Sequence, residues 1–357
     1  MNGRDEGGRD AGDRDAGGRG SVLVIGAGTM GAGIALNFAK FGFGVTLAGR
    51  KLSSLEAAMA RIAASLERLA AHRMAGPEVA KPMESPGTHE HVLARIHLTT
   101  TPEEAAPAAE LVIETISERL EDKKHLLSRI EALLSSRAIL TSNTSSLSLR
   151  ALATGLRRPE RFAGYHWFNP PELVPLVEVV PAPQTSGEVL QRLAKWSAGV
   201  GKLPVTLVRD VKGFVVNRLQ YALLREAYKL IEDGVCSAED VDLAVVNSLG
   251  PRWATIGPFE AMDLAGLDLH LAVARQLFPV LSDDKQAPAV LGELVAGGHL
   301  GAESGSGIRG AYSAERLAAL RGRQGSLLLG LAHPEGSETD DQAGAASQPH
   351  SCADSPG

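Results

Sequence analysis

Between residues 21 and 206 short apolar runs recur along the chain, separated by stretches with helical spacing. The runs are "SVLVIG", "GVTLAG", "IHLTT", "LVIETI", "AILTSN", "FAGYHWF" and "LVEVV". Rich in β-branched residues and almost continuously apolar, they read as strands covered on both faces. Their alternation with helical periodicity predicts an α/β unit, a doubly wound parallel sheet with helices on its faces. From 207 to 332 the spacing is helical throughout, as in "NRLQYALLREAYKLIEDG", "SAEDVDLAVVNSLG" and "PFEAMDLAGLDLHLAVARQLF". Ser237, followed three residues later by Asp240, marks one helix start. The expectation is therefore a sheet domain over 21–206 and an all-helical domain over 207–332, with no internal repeat. Residues 1–20, almost all Gly, Arg, Asp and Ala, and residues 333–357, rich in Ser, Gly, Asp and Ala, offer too little apolar surface to offset ordering entropy. Both are expected to be disordered tails.

One position breaks the strand pattern. Glu178 stands inside "LVEVV", where an unpaired buried charge costs roughly several kcal/mol. His166, between Tyr165 and Trp167 in the preceding run, is the candidate partner. An imidazole, titrating near neutral pH, can accept a proton and give it back. A carboxylate on the far ring nitrogen fixes the tautomer and stabilises the imidazolium that forms. Asn169-Pro170-Pro171 lies between the two runs and turns the chain so that they can meet. The plainer alternative is an ordinary core histidine and an edge-strand glutamate.

"VLVIGAGTMGAGIA" supplies Gly26-x-Gly28-x-x-Gly31, with Thr29 and Met30 inside it, directly after a strand and opening a helix. Glycines there permit a tight turn and let backbone N–H groups approach a pyrophosphate at the helix N-terminus. The second strand ends on Gly49, then Arg50 and Lys51, where an NAD site usually has an acid that accepts hydrogen bonds from the ribose hydroxyls. Losing the acid and gaining a cation suits a 2′-phosphate, so the cofactor is expected to be NAD or NADP, with Gly49-Arg50 favouring NADP. The alternative is that Arg50 faces solvent.

With 357 residues and 44% hydrophobic content, the chain is long enough for two domains with buried cores. A net charge of −6 and a pI near 6.0 argue against a general nucleic-acid or membrane-surface binder. The only cysteines, Cys236 and Cys352, make neither a disulfide framework nor a cysteine-based metal site, and no metal is expected. Residues 21–39 carry no charge and are about long enough to cross a bilayer, yet four glycines, Thr29 and Asn37 interrupt them. The N-terminus, acidic and basic in alternation, is unlike a signal or transit peptide. A cytoplasmic protein is expected, acting on a small molecule.

Taken together, "VIGAGTMGAGIA", "SNTSSLSL", "GYHWFNPPELVPLVEVV" and "GFVVNRLQYALLREAYKLIEDG" resemble the 3-hydroxyacyl-CoA dehydrogenase family, in order and nearly in spacing from about 21 to 330. "PLVEVVP" and "GFVVNRLQYALLREA" are most similar to the branch with L-gulonate 3-dehydrogenase (lambda-crystallin) and carnitine dehydrogenase. "SNTSSL" and "HWFNP" stand nearer the acyl-CoA enzymes. The resemblance implies a Rossmann-type domain followed by a helical domain carrying a homodimer interface. It also implies His166 as general base and Glu178 as the carboxylate that orients it, with Ser145 and Asn217 on the substrate oxygens. Glu118, Lys123 and Asn169 would touch the nicotinamide half of the cofactor, and Ser65 and His72 an acyl-CoA. The implied substrate is an (S)-3-hydroxyacyl-CoA, with a free polar 3-hydroxy acid as the alternative and a non-catalytic, crystallin-like cofactor binder as the second. The closing stretch "GHLGAESGSGIRGAY" departs from the family pattern, with Glu303 where Lys is usual and Ile308-Arg309-Gly310-Ala311 in place of an aromatic.

Overall fold

A computed structural model describes residues 20–75 and 89–331 of the chain. Apart from Gly20, the two expected tails lie outside these residues. The chain opens with β1 (Ser21–Ile25), α1 (Thr29–Lys40), β2 (Gly44–Ala48) and α2 (Leu52–Ala75). After the gap come α3 (His89–Ala94), β3 (Ile96–Thr99), α4 (Pro102–Ala105), β4 (Leu111–Glu114), α5 (Leu120–Glu131), β5 (Ile139–Ser142) and α6 (Leu149–Ala153). β6 (Phe162–Trp167), β7 (Leu176–Pro181), α7 (Gly187–Gly199) and β8 (Leu203–Thr206) complete one eight-stranded sheet in the order β3-β2-β1-β4-β5-β6-β7-β8. The uncharged stretch 21–39 is thus a central strand and its following helix, and no helix among the described residues is long and apolar enough to cross a membrane.

Strand parity divides the core in two. Val22 and Val24 of β1 pack with Ile34 and Phe38 of α1, Leu55 of α2 and Leu193 of α7 on one face. Leu23 and Ile25 join Leu127 and Ile130 of α5 and Leu152 of α6 on the other. Because successive strand side chains point to opposite faces, continuous apolar runs serve both cores.

The sheet departs from the expected all-parallel form at one end. The pairings from β3 through β6 are parallel, but β7 runs antiparallel to β6, and β8 is parallel to β7. Eight residues (168–175) separate β6 from β7, too few for the crossover that a parallel neighbour needs, roughly a dozen residues or more. The Asn-Pro-Pro segment therefore closes a hairpin. β8 was not among the expected strands. Its four residues include Pro204, which a sheet tolerates on an edge.

The remainder is helical: α8 (Val216–Glu232), α9 (Ala238–Ala244), α10 (Gly250–Trp253), α11 (Pro258–Ala265), α12 (Leu267–Leu277) and α13 (Ala289–Ala296), then a short hairpin of β9 (Ser306–Gly307) and β10 (Gly310–Ala311), then α14 (Ala314–Leu331). Ser237 and Asp240 form the expected capping box at α9. Among the described residues none beyond Phe214 is buried. Apart from Leu52, Leu98, Leu133, Leu203, Val205 and Val208, every exposed large apolar side chain lies at or beyond Val215. α14 returns to the sheet domain, where it meets α2 and Leu329 packs on the first core.

Candidate active site

The antiparallel hairpin sets the central contact. In the β6–β7 register His166 stands directly opposite Glu178, and side chains opposite one another on one face of such a pair meet. Tyr165 and Trp167 point into the first core, and His166 and Glu178 share the other face. His166 Nδ1 lies 2.8 Å from Glu178 Oε2, and Nε2 lies 3.0 Å from Ser145 Oγ. Both dyad side chains are buried, at 3% and 0% exposure, whereas Ser145 is exposed. Phe168 and Phe214 flank the imidazole with ring centroids at 4.5 and 5.4 Å.

Glu178 has a second set of partners. Its Oε1 accepts hydrogen bonds from the amides of Val215 and Val216 at 2.8 and 2.9 Å, at the N-terminus of α8. Burial pushes this carboxyl up, but the bond with His166 and the Val216 and Val215 amides outweigh it, and its pKa is lowered. An ionised carboxylate only accepts, so Nδ1 carries the ring proton and Nε2 is left as an acceptor, to which the Ser145 hydroxyl donates. Phe214, just before these amides, has a left-handed backbone with φ of 51°, a strained conformation for an aromatic residue that aims both amides at Glu178. In the first turn of α8, Asn217 Nδ2 donates to Ser145 O at 3.4 Å.

Ser145 is held from the other side by Glu118. Oε1 of that residue accepts from the amides of Ser145 and Ser146 at 3.0 and 3.1 Å and from the hydroxyls of Thr144 and Ser146. Desolvation raises the Glu118 carboxyl, the Thr144 hydroxyl, Lys123 and the two amides lower it, and the net direction is down. Lys123, 1% exposed, pairs with Glu114 at 2.6 Å and with Glu118 Oε2 at 3.3 Å. Glu114 is itself wholly buried and accepts from Ser142 Oγ and the Ile116 amide. Glu118 and Lys123 were expected at the cofactor; their contacts here build the turn that presents Ser145.

The phosphate loop follows β1. Gly26 has φ of +127°, and a Cβ on Gly31 would sit 1.7 Å from Gly26 O, so both glycines are required by the turn. A Cβ on Gly28 would meet nothing within 4 Å: the loop opens on free space there, beside Thr29 and Met30. Gly28 caps the twelve-residue α1 without a side-chain bond, which leaves amides available to an anion. The residues fit a dinucleotide pyrophosphate. Gly49, at the end of β2, is crowded by Ala27 and Leu55; Arg50 and Asn169 are exposed.

Ser65 is buried, donates to Glu172 Oε1 at 3.0 Å and accepts from Arg68 Nη2 at 2.6 Å. His72 lies in α2, with its side chain outside the described residues. Sequence reasoning did not single out Phe214, the Val215 and Val216 amides, or Asn143, whose Oδ1 accepts from the Trp167 amide at 2.7 Å. Asn143 lies in the quoted "SNTSS"; the amides leave no residue-type signal at all. The divergent closing stretch does gain something: Arg309 binds Asp242 and, at 3.5 Å, Glu239 on α9.

Residues 21–211 match the model of the 3-hydroxyacyl-CoA dehydrogenase NAD binding domain, and residues 213–310 match that of the 3-hydroxyacyl-CoA dehydrogenase C-terminal domain. The chain is 33% identical over 312 residues to 5-formyl-3-hydroxy-2-methylpyridine 4-carboxylate 5-dehydrogenase of Mesorhizobium japonicum, covering 87% of this chain and 96% of that protein. It is 36% identical over 289 residues to mitochondrial hydroxyacyl-coenzyme A dehydrogenase of Sus scrofa, covering 80% and 90%. Among solved structures, an NAD+-dependent 5-dehydrogenase for that pyridine carboxylate superposes with a TM-score of 0.79 at 32% identity, covering 87% and 96%. (S)-3-hydroxybutyryl-CoA dehydrogenase from Ralstonia eutropha superposes with 0.65 at 34% identity, covering 82% and 99%.

Proposed function

Because the chain belongs to the 3-hydroxyacyl-CoA dehydrogenase family and is an NAD-dependent oxidoreductase of that type, we propose that its substrate is an (S)-3-hydroxyacyl-CoA, oxidised at the 3-hydroxyl. The observation that carries this reading is the unbroken line Ser145 Oγ–His166 Nε2, His166 Nδ1–Glu178 Oε2. A substrate hydroxyl entering beside Ser145 can take the place of the Ser145 hydroxyl as donor to Nε2, the ring nitrogen that then accepts its proton. His166 takes that proton, Glu178 stabilises the resulting imidazolium, and Ser145 and Asn217 hold the oxygen in place. The loop from Gly26 to Gly31 would hold the dinucleotide, whose nicotinamide would supply the hydride acceptor. A non-catalytic, crystallin-like role is disfavoured by the intact geometry of all four side chains.

A second reading, dehydrogenation of a small free carboxylic acid, is favoured by Ser65. Its hydroxyl is committed to Glu172, which sets a carboxylate beside the very residue expected to meet an anionic acyl-CoA. A panel of acetoacetyl-CoA, L-gulonate and L-carnitine, followed by nicotinamide absorbance, decides between the readings. Turnover of a free acid with none of the thioester overturns the first.

The Gly49-Arg50 pair supports acceptance of NADP(H) beside NAD. Arg50→Ala is then expected to move preference back toward NAD, read from KM for NADH and NADPH. The protein is proposed to be cytoplasmic and to pair through its helical region.

A further inference from the structure

Arg61, on the third turn of α2, donates from Nη2 to the carbonyl of Ala27 at 2.7 Å. Ala27 is the residue between Gly26 and Gly28 in the phosphate loop. The same residue abuts the end of β2, since a Cβ built on Gly49 would lie 3.0 Å from Ala27 Cβ and 3.1 Å from Leu55 of α2. Ala27 is thus bracketed by Gly49 on one side and by the Arg61 guanidinium on the other. In a dinucleotide-binding sheet the adenosine ribose lies over the end of the second strand, where an acidic side chain reads its hydroxyls. Here that position is a crowded glycine followed by the exposed Arg50.

We propose that Arg61 is a specificity-determining residue of the cofactor site, forming with Arg50 a cationic rim for a phosphate on the adenosine ribose, so that the chain takes a 2′-phosphorylated dinucleotide beside NAD. The proposal rests on the assignment of residues 26–31 as the cofactor loop. A guanidinium carries five N–H donors in a rigid plane. One of them meets Ala27 O and fixes the side chain against the loop. The others are left to meet phosphate oxygens in charge-assisted pairs, without the cost of ordering a loose arginine. A carboxylate at the end of β2 would repel that phosphate; Gly49 has none.

The test is a calorimetric titration of the purified full-length protein with 2′,5′-ADP and with 5′-ADP, which share every group except the ribose phosphate. The wild type should bind 2′,5′-ADP about tenfold or more tightly than 5′-ADP, the factor expected of hydrogen bonds to a charged group. Arg61→Ala should lose about tenfold on 2′,5′-ADP and less than about twofold on 5′-ADP, and Arg61→Lys, which keeps the charge, should recover part of the difference. Arg61 is exposed, so neither variant removes core packing. Equal losses on both ligands would make Arg61 a tether of the loop only and overturn the proposal. So would a wild type that prefers 5′-ADP, which leaves the cofactor loop standing. Binding of neither ligand would bring down the loop assignment as well.

Discussion

In the proposed reaction His166 and Glu178 act through different atoms, and substitutions separate them. His166→Ala removes the proton acceptor and should lower turnover by a factor of about 10² to 10⁴, measured as kcat at saturating cofactor. Glu178→Gln cannot reproduce the carboxylate. An amide offers one acceptor oxygen, so it can meet either His166 Nδ1–H or the Val215 and Val216 amides, while its NH2 opposes a donor on the other side. Most of the rate should go while the dissociation constant for NADH stays nearly unchanged. Full activity in a protein that merely unfolds more easily would show that the dyad assignment is wrong. The lowered pKa of Glu178 adds a pH dependence. A carboxyl whose folded pKa lies below its ordinary value of 4.5 stabilises the fold fully above that value, and the contribution is lost as pH falls through the folded pKa. Denaturation series should therefore show wild-type stability falling more steeply than that of Glu178→Gln below about pH 4.5.

At the scale of elements, much was legible in the sequence and the misses have physical reasons. Seven apolar runs became β1 to β7 because buried strands need continuous hydrophobicity, and α8 and α9 followed from spacing and capping residues. β8 escaped because an edge strand of four residues, one of them proline, has little patterning to show. The direction of β7 was readable only from the length of the connection before it. The pairing of His166 with Glu178 was legible, because a charge sits in an apolar strand. Nothing comparable was legible at Val215 and Val216, whose contribution is backbone, nor at Arg309, whose partners lie some seventy residues earlier. The hairpin turn has a support of its own. Lys202, just before β8 and buried, donates from Nζ to Pro171 O at 2.7 Å and Val174 O at 2.6 Å, and lies over the Trp167 ring. Lys202→Met leaves two carbonyls without their donor and should cost roughly 2–4 kcal/mol in a urea titration. A loss below about 0.5 kcal/mol, the usual effect of a surface change, would show that the turn stands without it.

The whole molecule is lopsided. One half holds two packed cores; in the other no described residue is buried, and large apolar side chains such as Leu219, Tyr221, Phe259, Leu264 and Phe278 face outward. Helices in that condition need a cover, and a second copy would supply one of matching character. A mass of twice the 37.4 kDa chain is expected from light scattering at micromolar concentration, and a monomer there would refute the pairing. α8 belongs to both halves, for its first amides hold Glu178 and its Asn217 reaches Ser145. If the pairing holds, losing the partner would therefore loosen a helix that is anchored on Glu178. Specific activity should then depend on how much protein is present, falling on dilution and recovering on concentration. For a cell, abundance would set not only how many catalysts exist but what fraction of them is competent.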